Sequence, residues 1–140
     1  MPTISDYLSA DHQRCDSLFA EAEAAAANNQ SAAFDAFAAA MLHHLDMEES
    51  VLFPAFEQAT GSNMGPTRIM RMEHAQMREL FAQMQEALAA NDSTTFAGLA
   101  ETLLILMQQH NLKEEQVLYP MSDRALGEPA AVLQQMRELV

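Results

Sequence analysis

Apolar residues recur along this chain at steps of four and three, the spacing of one face of an α-helix. Leu8, His12, Cys15, Phe19, Ala22 and Ala26 fall on one such seam. At an offset of 62 residues, Met70, His74, Met77, Phe81, Met84 and Leu88 repeat it. Phe37, Met41, His44, Glu48, Val51 and Ala55 form a second seam. Leu103, Met107, His110, Glu114, Val117 and Met121 repeat that one at an offset of 66. In every seam a titratable group stands in line with Leu, Met or Phe, where a core is expected.

The seams predict four long helices. The first starts on a cap at Ser5 or Asp6 and runs to about Ala27. The second spans about Ala32 to Gln58, with Pro54 kinking it or ending it early. The third runs from Pro66 to about Ala90, and the fourth from about Thr94 to Met121, carrying Pro120. Asn28 to Ser31 and Asn91 to Ser93 are short turns, and Gly61 to Pro66 is the longest loop. Gly127-Glu128-Pro129 breaks the chain before a short helix of about Ala130 to Leu139. Short first and last turns make antiparallel neighbours. The expected fold is therefore all-α: an up-down-up-down four-helix bundle with a short C-terminal helix. Residues 1–140 read as a single domain, with the bundle over about 4–122 and an appendage over 123–140.

Composition agrees and narrows the function. Ala, Leu, Met, Glu and Gln dominate and only 4 residues are Gly, which favours helix. A net charge of −13 argues against nucleic acid and anionic membrane as partners, but not against cations. The longest apolar run, Leu103 to Met107, is too short to span a bilayer, and no secretory signal is visible. The lone Cys15 cannot form an internal disulfide and suits a reducing cytoplasm, the expected location. Cys15 lies one turn from His12, so it is either a thiolate ligand or, as its seam favours, a small buried apolar residue.

The chemistry lies in two near copies of one stretch. His44-Leu-Asp-Met-Glu48-Glu49-Ser-Val-Leu-Phe53-Pro54 and His110-Asn-Leu-Lys-Glu114-Glu115-Gln-Val-Leu-Tyr119-Pro120 both read H-x-x-x-E-E-x-V-L-[FY]-P. On a helix, His and the Glu four residues on share a face, while the next Glu falls on another. Glu49 and Glu115 are accordingly expected on a solvated face. The other two seams each add one His, within Asp11-His12 and Glu73-His74. Burying such groups unpaired costs several kcal/mol. Either they pair with one another in a buried His–Glu network, or they hold metal. Six groups on four seams favour metal. Imidazole with carboxylate suits Fe, Mn or Zn. A structural zinc needs only four ligands, so six, two of them carboxylates that can bridge, fit two metals better.

With these motifs the chain resembles the hemerythrin-like, HHE cation-binding domain proteins over nearly all of residues 4–122. The resemblance implies a non-haem di-iron centre with an oxo or hydroxo bridge inside a four-helix bundle. His12, His44, His74 and His110 would be terminal ligands, and Glu48 and Glu114 bridging carboxylates. It also implies binding of, or reaction with, a small oxidant or diatomic gas (O2, NO or peroxide), in stress response or sensing. Iron–sulfur centre repair, iron donation and O2 storage are the alternatives within the family; a metal-free helical interaction module is the alternative outside it.

The oxygen carriers of that family place a second His four residues after the third-helix ligand, where this chain has Arg78. A set of four His and two Glu is more similar to the branch concerned with iron-centre repair or nitric oxide response. That branch carries an additional N-terminal Cys-containing domain, which these 140 residues do not include. Arg78 corresponds in the repeat to Asp16, and both are within reach of the rim of the site. The favoured reading is an Asp16–Arg78 ion pair sealing one end of the cavity, or two solvated side chains; the alternative makes Asp16 an extra carboxylate ligand. His43, about 100° round the helix from His44, is not expected to be a ligand. The 11 Met residues are expected to fill core gaps, and Pro54 and Pro120 to bend their helices around the site.

Overall fold

The computed structural model describes residues 2–26, 28 and 31–139, and among these there are helices and loops but no strand. The elements are α1 (Ile4–Ala26), α2 (Ala32–Met47), a π-helical turn (Glu48–Leu52), α3 (Phe53–Thr60) and α4 (Pro66–Ala89). They are followed by α5 (Ser93–Lys113), a second π-helical turn (Glu114–Leu118), α6 (Tyr119–Ala125) and α7 (Pro129–Glu138). α1 packs along α2 and α4 along α5, and the two pairs meet through α1 with α5 and α2 with α4. No helix of the described residues is long and apolar enough to cross a membrane.

Local chemistry sets the ends. The cap of α1 is Thr3 rather than Ser5 or Asp6. Its hydroxyl accepts from the Asp6 amide at 3.0 Å, while the Asp6 carboxylate accepts from the Thr3 amide at 3.2 Å. This is a reciprocal capping box. Asp123 of α6 takes the next two amides, Ile4 at 2.8 Å and Ser5 at 3.2 Å, and so ties the chain start to the end of the bundle. The expected end of the first helix at Ala27 lies outside the described residues. Gly61 closes α3 at φ +73°, and Asn91 turns the chain after α4 at φ +54°, both in the left-handed region. Asp92 caps α5 by accepting from the Thr95 amide at 3.0 Å.

The two π-helical turns are the main departure from the simple helical reading. In each, the amide after the turn bonds five residues back: Phe53 to Glu48, and Tyr119 to Glu114. A proline follows immediately. Its ring would clash with the carbonyl four residues back and it has no N–H to offer, so a wider turn before it relieves both problems. The prolines thus act through a widened turn at the Glu-Glu dipeptide rather than through a simple bend at their own position.

That turn also shifts the seam. Every expected residue of the first and third seams is buried. In the second, Phe37 through Val51 are buried and Ala55 is half-buried. In the fourth, Leu103, Met107, His110 and Glu114 are buried, but Val117 is exposed and Met121 only half-buried. Leu118 and Tyr119 take the inward places instead. One apolar cluster fills the bundle around Phe19, Phe34, Phe37 and Phe81, with ring centroids 5.1–6.1 Å apart for the phenylalanine pairs involving Phe37 and Phe34. A second gathers Ile4, Leu8, Leu52, Phe53, Leu118 and Tyr119 with Leu133 and Met136 of α7. The last helix is therefore part of the core that closes one end of the bundle. The histidines and glutamates lie where the two clusters meet.

Candidate metal centre

α1, α2, α4 and α5 each deliver one histidine inward, and the two π-helical turns each begin on an inward glutamate. His12, His44, His74 and His110 are 1–3% exposed, and Glu48 and Glu114 are fully buried. All six expected site residues come together. Reactive atoms of Glu48, His74, His110 and Glu114 lie within 4.8 Å of one another, as do those of His12, His44 and Glu114. The rings stand in two pairs, His12 with His44 at 4.6 Å between centroids and His74 with His110 at 4.9 Å.

What aims the rings is a set of carboxylates behind them. Each Nδ1–H donates outward: His12 to Glu115 at 2.6 Å, His44 to Asp11 at 2.8 Å, His74 to Glu49 at 2.7 Å and His110 to Glu73 at 2.8 Å. These bonds assign the proton to Nδ1, so a neutral ring presents its Nε2 lone pair to the interior. Three of the carboxylates also hold a cation: Asp11 holds Arg14 at 3.1 Å, Glu49 holds Arg78 at 3.1 Å, and Glu73 holds Lys113. Two expectations are corrected here. Glu49 and Glu115 are not simply a solvated face; the residue after the inward Glu points sideways, at the histidine of the adjacent helix. Nor does Arg78 pair with Asp16. It reaches Glu49 instead, and Asp16 lies by Glu115.

The electrostatics follow from burial against paired charge. Burial works against ionising Glu48, but His44 and the hydrogen-bonding neighbours hold it well below the usual carboxylate range. Burial also works against a charged His44, yet Glu48 and then the bond to Asp11 hold it up at about 10. His110, buried against Glu114, is held up at about 9. Asp11 and Glu73 resist their partial burial and are lowered by the groups they bond. Asp16 is raised by burial, with His12 lowering and Glu115 raising it further. Metal ions and protons compete for the same inward nitrogens.

The cluster fits a cation better than it fits itself. Glu48 Oε1, His74 Nε2, His110 Nε2 and Glu114 Oε2 are buried with no hydrogen-bond partner. His74 Nε2 does lie 3.1 Å from Glu48 Oε1, and His110 Nε2 3.2 Å from Glu114 Oε1. The distances suit charge contact but the angles do not make hydrogen bonds, as when lone pairs point at a common centre rather than at one another. A closed His–Glu network would leave no such atoms.

Three further residues settle into place. His43 donates Nε2–H to the Leu139 carbonyl at 3.0 Å and takes no part in the cluster. Cys15 is packed in the apolar core, its thiol pushed up to about 12 by burial and then by Asp11. Tyr119, missing from the sequence-derived set, enters the centre. Its hydroxyl is 2.7 Å from Glu48, 2.9 Å from Glu114 and 3.1 Å from His12 Nε2. Burial and the Glu114 and Glu48 charges push that phenol well above its ordinary value. At α-helical spacing a residue five after Glu114 would lie on another face; the π-helical turn brings it round.

An all-helical protein with a buried, carboxylate-backed His/Glu cluster is a metal-binding protein in design. Comparison with known families agrees: residues 3–122 match the hemerythrin HHE cation binding domain. The chain belongs to that family. No curated protein and no solved structure matches it.

Proposed function

We propose that this protein holds two iron ions among four long helical stretches running up-down-up-down, and uses them to bind or react with a small oxidant or diatomic gas. His12 and His44 would serve one iron, His74 and His110 the other, with Glu48 and Glu114 between them. The observation that carries this reading is the convergence of six buried donors, four of whose atoms lack a hydrogen-bond partner. Iron in such a set supplies redox chemistry and positions for a small ligand. The chain's own residues aim the rings, hold Nδ1 protonated and exclude bulk water.

Arg78 bears on which gas chemistry is supported. It lies 42% exposed on Glu49 rather than in the cluster, so it adds no inward donor where oxygen carriers add a histidine. This supports irreversible reaction or sensing over O2 storage. Freshly purified protein should contain about two iron atoms per chain. Its reduced form should change its visible absorption when O2 or NO is added. Zinc alone after growth in iron-replete medium, or one metal per chain, would count against the proposal.

A further inference from the structure

The two halves of the centre are built from the same repeat, yet they differ at one inward position. The first copy ends in Phe53, whose ring lies tilted against His74 with 5.3 Å between centroids. The second ends in Tyr119, which is fully buried and carries its hydroxyl to the opposite ring pair. Resting on the metal reading above, we propose that the Tyr119 oxygen is itself a ligand of the metal at His12 and His44, which makes the two metal positions chemically unlike.

Three observations carry this. The first is spacing. Around a metal with bonds of about 2.0–2.2 Å, neighbouring ligand atoms lie about 3 Å apart in an octahedron and somewhat farther in a tetrahedron. The Tyr119 oxygen is 2.7 Å from Glu48 Oε2, 2.9 Å from Glu114 Oε1, 3.1 Å from His12 Nε2 and 3.5 Å from His44 Nε2. It stands where a further vertex of the same shell would stand. The second is proton count. A phenol has one proton, and two carboxylate oxygens are both at donor distance from it, so hydrogen bonding alone satisfies only part of the arrangement. The third is the distribution of unpartnered atoms. Both histidine nitrogens that lack a partner belong to His74 and His110, the half that faces Phe53. The half that faces Tyr119 has its ring nitrogens in contact with the hydroxyl.

The binding step is an exchange of a proton for a metal bond. The phenol O–H bond breaks, an iron–phenolate bond forms, the proton is released to solvent, and no oxidation state changes. A fixed phenolate fills a position on one iron and leaves the other, beside Phe53, as the one where a small ligand would bind.

The test is resonance Raman and visible spectroscopy on the full chain loaded with ferric iron, with iron content measured on the same samples. Wild type should show a phenolate-to-iron charge-transfer band, with ring modes that shift when the protein is made with ring-deuterated tyrosine. Tyr119→Phe, which installs the residue the other half already carries, should keep its iron and lose both band and modes. Bound iron without phenolate modes in wild type, or modes that persist in the variant, would overturn the Tyr119 assignment and leave the metal reading standing. Wild type that binds no iron would overturn both. The isotope shift decides the matter even if the variant proves unstable.

Discussion

Each inward histidine is gripped from behind by a carboxylate of a different helix, and this gives the glutamate pairs unequal duties. Glu48 and Glu114 face the centre; Glu49 and Glu115 orient His74 and His12 from outside it. Losing an orienting partner of this kind typically lowers metal affinity about 10–100-fold. Glu49→Ala and Glu115→Ala should therefore bind iron that much more weakly in chelator competition, while Glu48→Ala and Glu114→Ala should lose a metal outright. Equal losses in all four would contradict the division of roles. That these six residues come together was legible in the sequence, because His and Glu four apart share a helical face and His12 and His74 fall in line with apolar seams. The orienting role of Glu49 was not, because its histidine is 25 residues away on another helix and helical spacing says nothing about that contact. Arg78 was misplaced for the same reason.

At the level of elements, the helices could be read from seam and turn residues to within a few positions, but the two π-helical turns could not. A single extra residue in a turn leaves the four–three pattern intact on either side, so Val117 is expected inward and Tyr119 is overlooked. The turn behaves as an insertion, which gives a sharp test. Deleting exposed Gln116 together with Pro120→Ala should convert the second π-helical turn to α-helix, with Glu114 and Tyr119 now four apart and still on one face. Deleting Gln116 alone leaves a proline against the carbonyl four residues back and should be about 3 kcal/mol less stable than the double change. Deleting Gln108, also exposed but in ordinary α-helix, should rotate His110 and Glu114 off the seam and abolish cooperative folding. Thermal melts followed by circular dichroism distinguish these outcomes. If all three deletions melt alike, the turn is not a separable insertion.

For the whole molecule, the buried charges tie stability to pH in opposite ways with and without metal. In the metal-free protein, protons on His44 and His110 balance Glu48 and Glu114. Both rings are raised above their ordinary 6.5, His44 to about 10 and His110 to about 9. Their contribution is therefore complete below pH 6.5 and is lost as pH rises through about 9 and then about 10. Glu48 is lowered from 4.5, so its contribution is present above 4.5 and lost as pH falls through its folded-state value. The metal-free chain should thus be most stable between these limits, from pH 4.5 to 6.5, and should weaken steadily toward alkaline pH. A bound cation takes over the balancing charge, so the loaded protein should lack that alkaline decline. The gap between the two melting temperatures should widen as pH rises. A chain with a net charge of −13 also repels itself more as pH rises, which could mimic the effect. Salt separates the two, since it screens surface charge and leaves buried pairs nearly untouched. Melts of both forms from pH 5 to 10, repeated at about 1 M salt, are therefore the measurement. A metal-free melting temperature that stays flat across pH 6.5 to 10 at high salt would mean that protons do not stand in for metal in this core.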